Sequence, residues 1–178
     1  MKRIVYYLLP VLVCLGVGFA GSLFQARSMV EWYPWLDKSV LTPPGVAFPI
    51  AWTLLYVCMG VSLGRLIDRA RDRMLFTIWG VQLVLNFLWS LCFFTFRYPL
   101  LGLVDILLLD VLALIYIVGA YPRDKAASWL FVPYFLWLLF ATYLNGYIYL
   151  YNEVTKRVYF IGNERMLIAH DSNRLRFS

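Results

Sequence analysis

Five long apolar runs, at 4–24, 46–63, 74–96, 99–120 and 127–151, leave this chain of 178 residues few places to fold other than a lipid bilayer. About 20 apolar residues in helical conformation cross a hydrocarbon core of about 30 Å. A backbone in lipid must satisfy its own polar groups, so the runs predict helices. Composition points the same way: 62% of the residues are hydrophobic, 15% are charged and the mean hydropathy is +0.72, too little polar surface to clothe a soluble globule. The expected fold is an all-α integral membrane protein, a five-transmembrane-helix bundle over 1–152. The second, third and fourth connections are short, so successive helices pack as antiparallel neighbours. The first, over 25–45, is long enough to cover something. Beyond it all, 153–178 turns polar, with two β-prone runs, VYFI and MLIA, flanking Gly162-Asn163-Glu164. That pattern reads as a short hairpin or a disordered tail.

The first run has a rival reading as a signal peptide, because Lys2 and Arg3 precede it and Ala20-Gly21-Ser22 resembles a cleavage site. Its length exceeds the usual apolar core of about 7 to 15 residues, which favours a retained helix. With five spans, Lys2, Arg3, Arg65, Arg69, Arg71, Arg73, Arg123 and Lys125 share one face, against Arg27, Lys38 and Arg97 on the other. The excess of cations assigns the first face to the cytoplasm of a bacterial cell membrane. The net charge of +6 therefore reads as topology and attraction to anionic lipid, not as a nucleic-acid surface. Cys14, Cys58 and Cys92 lie in separate apolar runs without metal-ligand spacing, and His170 stands alone in the tail. They predict buried fillers and no metal site.

Polar residues inside the runs mark the bundle interior. Gln82, Asn86 and Trp89 recur at i, i+4 and i+7, with Phe93 continuing the stripe. Interhelical hydrogen bonding and ligand binding both account for it. Asp105 and Asp110 lie about 140° apart around the fourth helix, which excludes a paired-carboxylate site on one face and favours pairing with other helices over proton transfer. Pro133, Trp137, Ala141 and Asn145 recur every four residues in the fifth run. Trp79 and Trp129 read as interfacial belt residues. In TPPGVAFPIAWTLLY, residues 42–56, Pro43 and Pro44 stiffen the entry to the second helix, and Trp52 and Tyr56 follow one turn apart on one face.

Taken together, the segments WYPWLDKSVLTPPG (32–45), FPIAWTLLYVCMG (48–60), QLVLNFLWSLCFF (82–94), LVDILLL (103–109) and WLFVPYFLWLLFATYLNGYIYLYN (129–152) resemble the translocator protein family, also called the tryptophan-rich sensory protein or peripheral benzodiazepine receptor family. The resemblance implies a five-helix bundle with an intramembrane pocket for porphyrins and other tetrapyrroles and, in some members, sterols or synthetic ligands. It implies ligand-binding roles for Trp52, Tyr56, Asn86, Trp89, Phe93, Trp137 and Ala141. The first loop, with Trp32, Trp35, Pro43 and Pro44, is expected to fold over the pocket as a lid. Two departures stand out. Members often read Lys-Pro-x-Trp-x-Pro-Pro where this chain has Lys38-Ser39-Val40-Leu41-Thr42-Pro43-Pro44, so the loop's usual tryptophan is absent at Leu41. The sterol-recognition pattern expected after the fifth helix also fails; a formal match does occur at Val154, Tyr159 and Arg165 in the polar tail, which shows how weak the pattern is, and sterol ranks below porphyrin.

The expected function is a receptor or carrier that senses, sequesters or transports porphyrin, with the porphyrin as ligand and no intrinsic cofactor. Light- and oxygen-dependent porphyrin breakdown is the enzymatic alternative, with Trp52 and Trp137 the residues to suspect, although no acid-base or metal machinery accompanies them. Sterol or lipid binding, or a scaffold role, is a third class. A homodimer is expected through Gly60-x-x-x-Gly64 or Gly16-x-x-x-Ala20, where small residues permit close helix approach.

Overall fold

The computed structural model describes residues 2–154, so the expectations for His170 and for most of the 153–178 tail lie outside the described residues. Five helices follow in order: α1 (Lys2–Glu31), α2 (Ala47–Arg69), α3 (Arg73–Ser90), α4 (Pro99–Ala120) and α5 (Lys125–Tyr149). Each is long and apolar enough to span a membrane. The protein is a multi-pass integral membrane protein. Short wider-turned π-helical segments extend α3 over Leu91–Thr95 and α5 over Leu150–Val154.

The helices form a ring in the order α1, α2, α5, α4, α3, closing back on α1. One end of the ring is packed solid. There Tyr116, Phe131 and Tyr134 are fully buried, with Phe131 ring centroids 4.2 Å from Tyr116 and 5.2 Å from Tyr134. Trp79 belongs to this core and not to an interfacial belt. It shares its helix face with buried Leu75 and Leu83, and its indole N–H donates to the Met59 carbonyl at 3.2 Å. Trp129 does stand exposed. Cys14 is buried and free, while Cys58 and Cys92 are half-buried and free.

Two glycines set how closely α1 and α2 approach. A Cβ on Gly60 would lie 2.5 Å from the Val11 Cα, and one on Gly64 would lie 2.7 Å from the Tyr6 carbonyl oxygen. The Gly60-x-x-x-Gly64 motif thus carries a close contact within the chain, between α1 and α2. Around Gly16 there is open space.

At this packed end, aspartates tie the loops together. Asp72 accepts from the Leu75 N–H at the start of α3, and Asp124 accepts from the Ala127 N–H at the start of α5. These are N-caps of the usual kind. Each also pairs across the surface: Asp72 with Arg123, and Asp124 with Arg65 at 3.1 Å and Arg69 at 3.4 Å. Arg3 reaches Asp68 at 3.3 Å. Burial of the Asp124 side chain, only 2% exposed, opposes its charge, but the Ala127 N–H and the two guanidiniums outweigh it and hold the carboxyl below its ordinary range.

The helix α1 runs past the apolar run that announced it. Its 30 residues reach Glu31, where 24 was expected, and at about 1.5 Å per residue it outruns the hydrocarbon core. Hydropathy ends at Gln25 because polar residues end a lipid-facing surface, yet they do not end a helix. Arg27 and Glu31 pair one turn apart, and the Ser28 hydroxyl donates to the Phe94 carbonyl at 2.6 Å, so the last turns remain packed. The first loop accordingly shortens to 32–46.

Gly60→Ala is expected to destabilise the bundle by about 1–3 kcal/mol through forced separation of the α1 and α2 backbones. Gly16→Ala should be neutral or stabilise by up to about 1 kcal/mol through helix propensity. Thermal unfolding in detergent micelles compares the two. For Asp124, a folded-state pKa below the unfolded value of about 3.9 means stability that is complete above that value and lost as pH falls through the folded one. Asp124→Asn keeps a capping acceptor but loses the charge. It should lower the melting temperature at neutral pH and flatten the loss of stability below about pH 4.

Candidate functional site

The opposite end of the ring is hollow. A cavity of about 490 Å³ lies between α1, α2, α3 and α5. Hydrogen bonds between α3 and α5 close its wall in front of α4, which contributes no lining residue. The Tyr56 hydroxyl donates to Asn86 Oδ1 at 2.6 Å, and Asn86 Nδ2 donates to the Tyr134 hydroxyl at 3.3 Å. One turn higher, the Trp89 indole donates to Asn145 Oδ1 at 3.2 Å, and Asn145 Nδ2 donates to the Pro99 carbonyl at 2.8 Å. The predicted polar stripe of α3 therefore does both things expected of it, since Asn86 and Trp89 bond across helices and also line the cavity. Gln82 lies deeper. It is fully buried, and its amide finds no partner among the described residues.

Tyr56 sits directly on α1. A Cβ at Gly18 would lie 2.2 Å from its ring, so glycine there is what allows the ring to close the cavity floor. Trp52, one turn away, stacks at a tilt on Tyr56 with centroids 5.5 Å apart. On the far wall the widened turn of Leu91–Thr95 lets two successive residues, Phe93 and Phe94, both face inward. Phe93 stacks on Trp89 at 5.3 Å and 16°.

Six of the seven predicted ligand residues, Trp52, Tyr56, Asn86, Trp89, Phe93 and Ala141, line this one cavity. Trp137 does not. A row of residues four apart drifts about 40° per step around a helix, so from buried Asn145 through Ala141 the row has turned away by Trp137 and reaches exposed Pro133. Trp137 instead backs the wall edge-on, 6.0 Å from Phe48 and 6.4 Å from Trp52.

The first loop crosses the open end of the cavity as a strap. Its Asp37 N–H donates to Asn152 Oδ1 at 2.9 Å, and Asn152 Nδ2 returns a bond to the Asp37 carbonyl at 3.0 Å. The hydroxyls of Ser39 and Tyr143 share a 2.8 Å bond, and Lys38 Nζ folds back on the carbonyls of Tyr33, Pro34 and Leu36. Of the predicted lid residues, Trp32 packs edge-on against Phe93 at 5.6 Å and Trp35 is 82% exposed; neither these nor Pro43 and Pro44 line the cavity. Tyr33 supplies the aromatic lining that was expected of Trp35. A three-residue 3₁₀ turn over Tyr33–Trp35 puts the two rings on opposite sides.

Several contributors escaped the sequence reading. The α1 wall, with Phe19, Ser22, Gln25 and Met29, carries only a weak pattern in a run that is apolar nearly all round. Asn152 and Tyr143 hold the strap; Asn152 had a signal, lying seven residues after Asn145 on the same helix face. Asp110 pairs with α5 as expected, accepting from Thr142 at 2.8 Å, while Asp105 Oδ2 meets no donor among the described residues. Neither lines the cavity. Its lining contains no Asp, Glu, His, Lys or Arg, so the site is electrically neutral, with aromatic faces and a few amide and hydroxyl groups. Aromatic faces of this kind offer stacking surfaces, and the amide and hydroxyl groups offer hydrogen bonds.

Comparison with known proteins agrees with this architecture. The sequence profile of the TspO/MBR family matches residues 10–150. The chain is 44% identical over 144 residues to a tryptophan-rich protein TspO of Archaeoglobus fulgidus, covering 80% of this chain and 94% of that one. It is 37% identical over 148 residues to a protein of the same name from Chlorobaculum tepidum, covering 81% and 94%. Against the translocator protein of Homo sapiens it is 33% identical over 147 residues, covering 79% and 83%. The chain belongs to the TspO/MBR family.

Proposed function

We propose that the chain is a membrane receptor or carrier that binds porphyrins or related tetrapyrroles in the aromatic cavity, for sensing, sequestration or transport. The observation that carries this reading is the cavity itself: about 490 Å³, without charge, and walled by the Trp52–Tyr56 pair on one side and the Trp89–Phe93 stack on the other. That volume lies within the range of about 300–1,000 Å³ usual for small-molecule sites. Two aromatic walls suit a planar ring system, and the amide and hydroxyl groups of Asn86, Tyr56 and Asn145 suit its polar edge. The distribution of cations supports an orientation with the packed end of the bundle toward the cytoplasm, and the bacterial sources of several relatives support a bacterial cell membrane.

One observation favours photochemical breakdown as a second reading. Trp52 lines the cavity and meets Trp137 edge-on, which puts one oxidisable indole beside any bound pigment and a second directly behind it. Titrating the purified protein with protoporphyrin while following its absorption bands, then illuminating the complex in air, separates the possibilities. Saturable binding with unchanged bands after illumination supports the receptor or carrier; loss of the bands supports breakdown. Absence of binding defeats both.

Trp52→Ala is expected to weaken porphyrin binding by about two- to tenfold beyond the loss of area, the equivalent of about 0.5–1.5 kcal/mol for a lost aromatic contact. Trp137→Ala should cost less, because it acts only by backing Trp52. Trp32→Ser should raise the off-rate by loosening Phe93, whereas Trp35→Ser should leave it unchanged. Stopped-flow displacement of bound porphyrin measures both, and equal effects of the two strap variants would contradict the assignment.

A further inference from the structure

The boundary of the cavity differs between the end crossed by the strap and the side between α1 and α2. Over the water-facing end, the strap is pinned to α5 through Asn152 and Tyr143 and stiffened by Lys38. The seam between α1 and α2 differs along its length. At Gly60 and Gly64 the two backbones touch, and at Gly18 the ring of Tyr56 fills the space between them. Past that point the helices part. Phe19 and Ser22 on α1, and Pro49 and Thr53 on α2, line the cavity and are nevertheless exposed on the outside of the bundle, Phe19 by 66%. Side chains that belong to both surfaces mark an opening.

The depth of that opening identifies what lies outside it. Phe19 is 15 residues beyond Ile4, about 22 Å along α1 at 1.5 Å per residue and so within a hydrocarbon core of about 30 Å. Its flanks are apolar and exposed: Leu23 and Phe24 on α1, Ile50 and Leu54 on α2. Water has no favourable path there, while an apolar molecule dissolved in the bilayer meets a continuous apolar surface from the acyl chains to Trp52.

We infer that the α1–α2 seam at Phe19, Ser22, Pro49 and Thr53 is a lateral doorway through which the cavity exchanges its ligand with the lipid phase, and that the strap is a fixed roof. The inference rests on the proposed pocket and adds the route and the ligand class: a molecule that partitions into the membrane before it binds. The glycine contacts act as the hinge side of this doorway, since they hold the packed halves of the helices together while the other halves stand apart.

A doorway changes the speed of exchange in both directions, whereas a binding wall changes affinity through the off-rate. Ser22→Trp narrows the gap and Phe19→Ala widens it. With the protein in phosphatidylcholine vesicles and protoporphyrin supplied in the bilayer, Ser22→Trp should slow association by about tenfold and dissociation with it; because Ser22 also lines the cavity, the on-rate and not Kd is the readout. Phe19→Ala should accelerate both. Leu107→Trp, on the lipid-facing side of α4 away from the cavity, serves as the control and should change neither rate. Rates that do not move in the Ser22 and Phe19 variants, or a Kd that shifts through the off-rate alone, would overturn the doorway.

A second measurement needs no ligand. Nitroxide labels at Ser22→Cys and Thr53→Cys, in a background with Cys14, Cys58 and Cys92 replaced by alanine, should relax strongly with dissolved oxygen and weakly with a water-soluble nickel chelate. The reverse pattern would place the opening in water and defeat the inference. If porphyrin fails to bind at all while the labels report lipid, the proposed ligand is wrong and the doorway stands.

Discussion

Backbone contact between α1 and α2 at Gly60 and Gly64 is the constraint from which the rest of the architecture follows. A bilayer supplies no hydrophobic drive between helices, so they associate by close packing and hydrogen bonding. Glycine lets two backbones approach to where a side chain would collide with Val11 and Tyr6. With the helices held at one end, the Tyr56 ring standing on Gly18 becomes a wedge, and the outer halves diverge around a space that no side chain fills. The aspartate caps and their arginines stiffen the same end, because Asp72 and Asp124 each fix a helix start and bridge it to another loop.

The division of the bundle into a solid half and a hollow half also divides the polar residues by task. In the solid half they complete helix contacts: Ser62 bonds both Tyr116 and the Ala127 carbonyl, and Trp79 bonds Met59. In the hollow half the same chemistry faces a cavity. Asn86 and Asn145 use their amides to join α3 to neighbours and still present a side to the interior. A buried amide left without a partner costs about 1–3 kcal/mol, so both roles are coupled. Removing either asparagine would unseat Tyr56 or Trp89 as well as change the lining.

Relatives in the TspO/MBR family match over most of their own length, including the chain from Homo sapiens at 33% identity. The region matched, 10–150, contains every residue that lines the cavity and omits Asn152, the residue that ties the strap to α5. In this chain the strap lacks the tryptophan often found at the position of Leu41, and Leu41 is exposed. Around that position the strap is held by hydrogen bonds of Asp37, Lys38 and Ser39, while its aromatic contacts come from Trp32 and Tyr33.

Apolar length determined the helices by itself, because the bilayer sets one span for every crossing and the chain must meet it five times. The spacing of Asn86, Trp89 and Phe93, and of Trp52 with Tyr56, was equally legible, since a helix converts spacing into direction with little dependence on its neighbours. Only the tertiary structure decided the rest. The end of α1 was hidden because its final turns are held by Arg27–Glu31 and by Ser28 on Phe94, contacts that hydropathy does not register. Trp137 and Trp35 looked like pocket residues by type, but a four-residue row drifts about 40° per step, and a 3₁₀ turn aims Tyr33 inward where Trp35 points out. The whole α1 wall was invisible for a related reason. A helix apolar on every side gives no periodic sign of which side faces lipid and which faces a cavity, and that choice belongs to the neighbours that pack against it.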